Sequence, residues 1–240
     1  MRQENDLGKD PIGRLVVRIA LPSMLAQLVN VLYNIVDRMY IGNIAQTGDL
    51  ALAGVGVCGP VITMVGSAAA LIGIGGAPLM SISMGGQDIK RAKRVLANSF
   101  LLLTVLSVAI TVALYPIREP MLLFFGASEA TMPFANEYFS IYLFGTLFAL
   151  LSAGMNQFII CQGYAKVAMF TVVTGAITNI LLDPVFIFLL DLGVAGAALA
   201  TVFSQVVSCC LVTVFCSVKS RRFPFPSAAT TCASWAAFLP

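Results

Sequence analysis

Six apolar runs, each long enough to cross a lipid bilayer, take up almost all of this 240-residue chain. They fall at about 15–40, 50–84, 95–116, 134–160, 167–190 and 194–218. A hydrocarbon core about 30 Å thick takes about 20 apolar residues as a helix. No water there can satisfy a bare backbone, so each run must form helix or join a closed barrel. Runs of this length predict helices. The fold class is therefore all-α, a polytopic integral membrane bundle of six transmembrane helices. The composition agrees, with 59% hydrophobic and only 10% charged residues, against about 25% charged in a soluble domain. The first run ends in Asp37-Arg38 and lacks a small-residue cleavage site, so it reads as a retained span.

The second run, about 35 residues, is long for one straight crossing. Charge decides between one span and two. No Lys or Arg lies in Ile41 to Leu50, whereas Lys90, Arg91, Lys93 and Arg94 follow the run. Positive residues gather on the cytoplasmic side. One long helix, bent at Pro60, Pro78 or its glycines, puts the two flanks on opposite sides as that rule requires. Arg2, Lys9, Arg14, Arg18, Lys166, Lys219, Arg221 and Arg222 then all fall inside, with both termini cytoplasmic. The net charge of +3 reports this orientation and not nucleic-acid binding. Tyr40, Tyr115 and Tyr138 are expected in an outer aromatic belt. The organisation expected is a cytoplasmic N-terminus over 1–14, a membrane lobe over 15–218 and a cytoplasmic linker or truncated tail over 219–240.

Two acids sit inside these runs, Asp37 and Asp183. A carboxylate at membrane depth costs about 2.5–3.5 kcal/mol on insertion scales, so it marks a partner or a hydrated cavity. Gln27, Asn30, Asn34 and Asp37 are spaced 3, 4, 3 and share one helical stripe. Interhelical glue, about 0.6 kcal/mol per hydrogen bond, explains a single Asn better than a stripe ending in a carboxylate. A cavity-lining role is the stronger reading. The fifth span adds Thr171, Thr174, Thr178, Asn179 and Asp183, followed by Pro184. Proline has no N–H to give the carbonyl of Ile180 and should bend the helix there. A free carbonyl, an amide and a carboxylate within one turn make a plausible cation site. Thr201, Ser204, Gln205 and Ser208 share a face of the sixth span, and Asn156 and Gln157 lie on the fourth. The six Cys show no metal spacing and there is no His, so no zinc site, disulfide framework or enzyme is indicated. No cofactor is expected beyond a coupling ion, H⁺ or Na⁺.

Several stretches in order carry a resemblance. They are Ala20-Leu-Pro, Asn34-Ile-Val-Asp-Arg-Met-Tyr-Ile-Gly, Leu52-Ala-Gly-Val-Gly, Gly73-Ile-Gly-Gly-Ala and Met84-Gly-Gly-Gln-Asp, then Asn179-Ile-Leu-Leu-Asp-Pro and Gly193-Val-Ala-Gly-Ala-Ala-Leu-Ala-Thr. Over about residues 10–220 the chain resembles the amino-terminal half of the MATE family, the multidrug and toxic compound extrusion antiporters. The resemblance implies one six-helix lobe of a twelve-helix transporter that exports cationic or amphipathic compounds in exchange for H⁺ or Na⁺. It implies a cation site, possible for Na⁺, at Asp37, Asn179, Asp183 and Thr201, with Asn156 nearby. Gln27, Asn30, Asn34, Thr174, Thr178 and Gln205 are expected to line the cavity. Partners expected are membrane lipid, a small cationic or amphipathic substrate and a second six-helix lobe, in a cell inner or plasma membrane. With one lobe in the sequence, a fragment or truncated product is expected. A lipid-linked oligosaccharide flippase of the same superfamily and a non-transporting scaffold are the alternatives.

Overall fold

A computed structural model describes residues 12–45 and 47–216. Six α-helices follow one another: α1 Ile12–Gly42, α2 Gly48–Gly85, α3 Ile89–Phe124, α4 Met132–Cys161, α5 Ala165–Pro184 and α6 Gly193–Val214. A π-helical turn, Val185–Leu189, continues α5. No strand occurs among the described residues. All six helices are apolar and long enough to cross a membrane. The segments 1–11 and 217–240, which hold most of the expected N-terminus and all of the expected tail, lie outside the described residues.

The long second run is one helix of 38 residues, continuous through Pro60 and Pro78. At 1.5 Å per residue it is about 57 Å long, well over the hydrocarbon thickness. The third span is the main departure from expectation. It was expected over 95–116 but runs from Ile89 to Phe124, through Pro116 and Pro120. Its first two turns take in the Lys90–Arg94 cluster, because the Asp88 side chain caps the helix by accepting from the Arg91 backbone N–H at 2.9 Å.

Helix α4 is the central post. It packs along α2, α6 and α3, while α1 lies at one edge, chiefly against α5. Two apolar clusters hold the bundle. One gathers Ile41, Val55, Cys58, Phe139, Leu143 and Ile187; the other gathers Met80, Leu96, Leu103, Met155, Phe158 and Val212. Small residues allow the close approaches. A Cβ on Gly145 would stand 2.5 Å from Val202 Cγ2, and one on Gly196 would stand 2.7 Å from the backbone carbonyl of Phe186. Large apolar residues such as Val105, Val112 and Leu71 point outward, where a membrane protein meets lipid.

The expected aromatic belt holds only in part. Tyr115 is exposed and lies under the Arg118 guanidinium, 4.4 Å from ring centroid to cation. Tyr138 is instead buried and stacks on Tyr142, one turn along α4, with centroids 6.5 Å apart. Its face of α4 turns toward the bundle interior, which the span boundary alone did not reveal.

Candidate functional site: a buried acid pair above an amide-lined cavity

The stripe on α1 and the end of α5 meet because those two helices pack together. Asp37 and Asp183 are both buried, and their carboxyl groups come within hydrogen-bonding reach of each other. Asn179 is fully buried one turn before Asp183. Its Nδ2 donates to Asp183 Oδ1 at 3.3 Å and to Thr201 Oγ1 of α6 at 3.4 Å. With the amide nitrogen so engaged, Asn179 Oδ1 is left buried without a partner. So are Asp37 Oδ1 and Asp183 Oδ2. Two packed helices, α1 and α5, thus carry three unsatisfied buried oxygens, with Thr201 of α6 holding the Asn179 amide. An unpaired buried acceptor costs about 1–3 kcal/mol, and a proton or an oxygen-seeking cation removes that cost. This donor set suits a hard cation such as Na⁺.

The local backbone explains why the pocket forms here. Asp183 precedes Pro184, and the chain then loosens into the π turn, where the Leu190 N–H reaches the Val185 carbonyl at 2.9 Å. Such turns arise where a helix is interrupted, often at working sites. Phe188 of that turn meets Tyr40 of α1 edge-on at 6.2 Å. Tyr40 follows Asp37 by three residues on α1, and Phe188 follows Asp183 by five on the continuation of α5. Arg38 is exposed, and among the described residues it makes no ion pair with Asp37. It points away from its neighbour, as a rotation of about 100° per residue dictates.

Beside the acid pair lies a cavity of about 590 Å³. Gln27 and Asn30 of α1, Asn156 and Gln157 of α4, and Ser204 and Gln205 of α6 line it. Tyr33 and Tyr142 also line it, and Tyr33 lies within electrostatic reach of both Asp37 and Asp183. Tyr33 was missed in the sequence reading although its spacing, three residues after Asn30 and four before Asp37, puts it on the same stripe.

Four expected positions fall elsewhere. Asn34, Thr174 and Thr178 do not line the cavity. Each side chain returns to its own helix: Asn34 Nδ2 donates to the Asn30 carbonyl at 2.6 Å, Thr174 Oγ1 to Phe170 and Thr178 Oγ1 to Thr174, both at 2.8 Å. Asn156 lines the cavity but is not brought to the acid pair. Its Nδ2 donates to the Ala168 carbonyl at 3.1 Å and to Thr171 Oγ1 at 2.9 Å. Thr171 lies eight residues before Asn179, about 12 Å along the helix. Asn156 is thus a tie between α4 and α5, and the Thr171 carbonyl accepts from Ser208 Oγ of α6 at 3.2 Å. Asn156→Leu leaves the Ala168 carbonyl and the Thr171 hydroxyl with one partner fewer each, at about 1–3 kcal/mol. A lowered unfolding temperature in detergent, with ion binding retained, is the expected outcome.

Comparison with known proteins agrees with this architecture. The chain is 26% identical over 214 residues to the multidrug export protein MepA of Staphylococcus haemolyticus, covering 89% of this chain and 47% of that protein. It is 30% identical over 227 residues to the FAD transporter of Shewanella oneidensis, covering 92% of this chain and 49% of that protein. A crystal structure of MATE in the bent conformation superposes with a TM-score of 0.83 at 29% identity, over 90% of this chain and 48% of that one. The chain therefore spans about half the length of the relatives it matches. The MatE family model matches residues 22–185, from Pro22 of α1 through Asp183-Pro184 of α5. With both the match and the six-helix fold running through the acid pair, this multi-pass membrane protein is a member of the MatE family.

Proposed function

We propose that this chain is the amino-terminal lobe of a secondary transporter that exports cationic or amphipathic small molecules in exchange for H⁺ or Na⁺. One observation carries the reading: Asp37 Oδ1, Asn179 Oδ1 and Asp183 Oδ2 are buried, unpartnered and on two helices that pack together. The relatives' names, a multidrug export protein and an FAD transporter, support a small-molecule substrate. Asp37 and Asp183 supply the negative charge, Asn179 a neutral oxygen, and Thr201 holds the Asn179 amide in place. A cation on these oxygens draws α1 toward α5 and α6. Substrate in the adjacent cavity favours the packing in which α1 stands off. The coupling free energy is the difference in each ligand's affinity for the two packings. A second six-helix lobe closes the other side of the substrate cleft.

The test is direct. The chain reconstituted in liposomes is expected to bind ²²Na⁺ or to take up protons under a pH step, and Asp37→Asn is expected to lose that signal. Ion binding that survives in Asp37→Asn would leave a bundle with polar contacts and no cation site. Orientation is a separate expectation of this reading, with the Lys90–Arg94 turn cytoplasmic. In a cysteine-free background, Lys93→Cys in whole cells is expected to escape a membrane-impermeant maleimide and to react once the membrane is opened.

A further inference from the structure

The start of α3 carries charge that the fold leaves unused. Lys90, Arg91 and Arg94 are exposed there. Among the described residues none of the three makes an ion pair or a side-chain hydrogen bond. The acid beside them, Asp88, already accepts the Arg91 backbone N–H. It occupies the helix terminus, so an incoming anion meets the basic side chains and not the backbone. Arg94 lies three residues from Arg91 and four from Lys90, the spacings that bring side chains together on a helix.

Their depth and direction say what that anion is. The apolar part of α3, residues 95–116, is about 33 Å long as a helix, close to the hydrocarbon thickness of about 30 Å. Arg94 therefore stands at one boundary of the core and Arg118 near the other. Lys90 lies about 6 Å beyond Arg94 along the axis, within a headgroup layer roughly 5–8 Å deep. Lys90, Arg94, Leu101, Val105, Val108 and Val112 follow one another at helical spacing, and the three valines are exposed. The cations thus head the same face of α3 that meets acyl chains. Val105 lies about 16 Å from Arg94 along the axis, about the depth of one leaflet's hydrocarbon. Guanidinium groups bind phosphate oxygens through paired N–H donors, and basic clusters at the end of a membrane helix attract anionic lipid. Arg118 differs, because its guanidinium is taken. Nε donates to Asn136 Oδ1 and Nη1 to the Tyr115 carbonyl, both at 2.8 Å, with Glu119 at 3.9 Å.

We propose that Lys90, Arg91 and Arg94 hold the phosphate of an anionic phospholipid whose acyl chains lie along Leu101 and Val105. The experiment mixes the purified 240-residue chain, in an uncharged detergent, with equal amounts of phosphatidylglycerol and phosphatidylcholine of matched chains. Native mass spectrometry reads the ratio of the two adducts. Phosphatidylglycerol is expected to lead about tenfold at low salt and by less as salt screens the charges. Replacing all three cations with Gln is expected to bring the ratio near one. Arg94→Gln alone is expected to lower it about threefold and serves should the triple variant fail to fold. Arg91→Lys with Arg94→Lys, which keeps the charge, is expected to retain most of the preference. Arg118→Gln, the same loss of charge at the opposite boundary, is expected to leave the ratio unchanged. Excess glycerol phosphate, a headgroup without chains, is expected not to displace the lipid.

Equal adducts on the wild-type chain overturn the proposal. So does a preference that survives the Gln variants, or one that Arg118→Gln lowers as far as Arg94→Gln does. Displacement by glycerol phosphate would make this a site for a free anion and overturn the lipid assignment.

Discussion

Asp183→Asn is expected to abolish ion binding by this lobe while leaving its insertion intact. The substitution conserves shape, so the packing of α5 against α1 and α6 survives. What changes is charge and hydrogen-bonding sense. In the native protein Asn179 Nδ2 donates to Asp183 Oδ1 at 3.3 Å. An amide at position 183 can set its own N–H₂ against that donor or turn it toward the cation. Either arrangement removes a negative charge from a buried pocket whose remaining formal charge is Asp37. Removing one partner from a buried, hydrogen-bonded charge pair costs about 2–5 kcal/mol, roughly 30- to 4,000-fold in affinity. Asp183 is the more decisive acid because it is fully buried and directly bonded to Asn179. ²²Na⁺ binding and proton uptake by the purified chain check the first effect. Recovery of the variant in the membrane fraction at the native level checks the second; export by a version joined to a second lobe is expected to fail, and normal export in Asp183→Asn would remove the acid from the mechanism.

Gly196→Val is expected to give the largest structural loss. Gly196 lies in the first turn of α6, where the helix crosses the π turn. A Cβ there would sit 2.7 Å from both the carbonyl carbon and oxygen of Phe186 and 3.0 Å from the Ile187 nitrogen. These are backbone atoms and cannot swing aside as a side chain can. The Phe186 carbonyl is further held by the Leu192 N–H at 3.1 Å. Helix α6 must therefore move away, and overpacking of this kind costs about 1–3 kcal/mol or more. Thr201 moves with it, away from the Asn179 amide. The expected result is a lowered unfolding temperature in detergent together with weakened ion binding. Gly196→Ala should show the same pair of effects to a smaller degree. Gly56→Val is the matched control, since a Cβ at Gly56 meets nothing within 4 Å. Equal stability of the position-196 and position-56 variants would show that the α6 crossing tolerates a side chain.

The acid pair was legible because each acid is a costly residue in an apolar run, and so was the order of spans. Charge flanking the second run was enough to make it one helix, as observed. Helix ends were less legible. Pro116 and Pro120 suggest a stop, yet α3 continues through both, because neighbouring helices and loosened local turns can satisfy the backbone groups a proline frees. Thr174 and Thr178 were misplaced for a related reason. A threonine hydroxyl inside a helix can satisfy itself on the carbonyl one turn back, so it needs no cavity. Tyr138 was misjudged because an aromatic near a span end suits a membrane interface and a buried wall equally well.

The sequence alone determined the medium, the number of crossings and the two acids, since hydrophobic length and the cost of a buried charge are properties of the residues themselves. Only the tertiary structure decided which polar groups meet. It placed Asp37 against Asp183, fixed Asn179 by bonds to Asp183 and Thr201, and set Asn156 about 12 Å along α5 from that cluster. It also set the acids outside the amide-lined cavity. Helical spacing fixes a residue's angle about its own axis, whereas partners depend on how the axes cross and how deeply each helix is set, and those follow from packing of small residues at contacts such as Gly145 and Gly196.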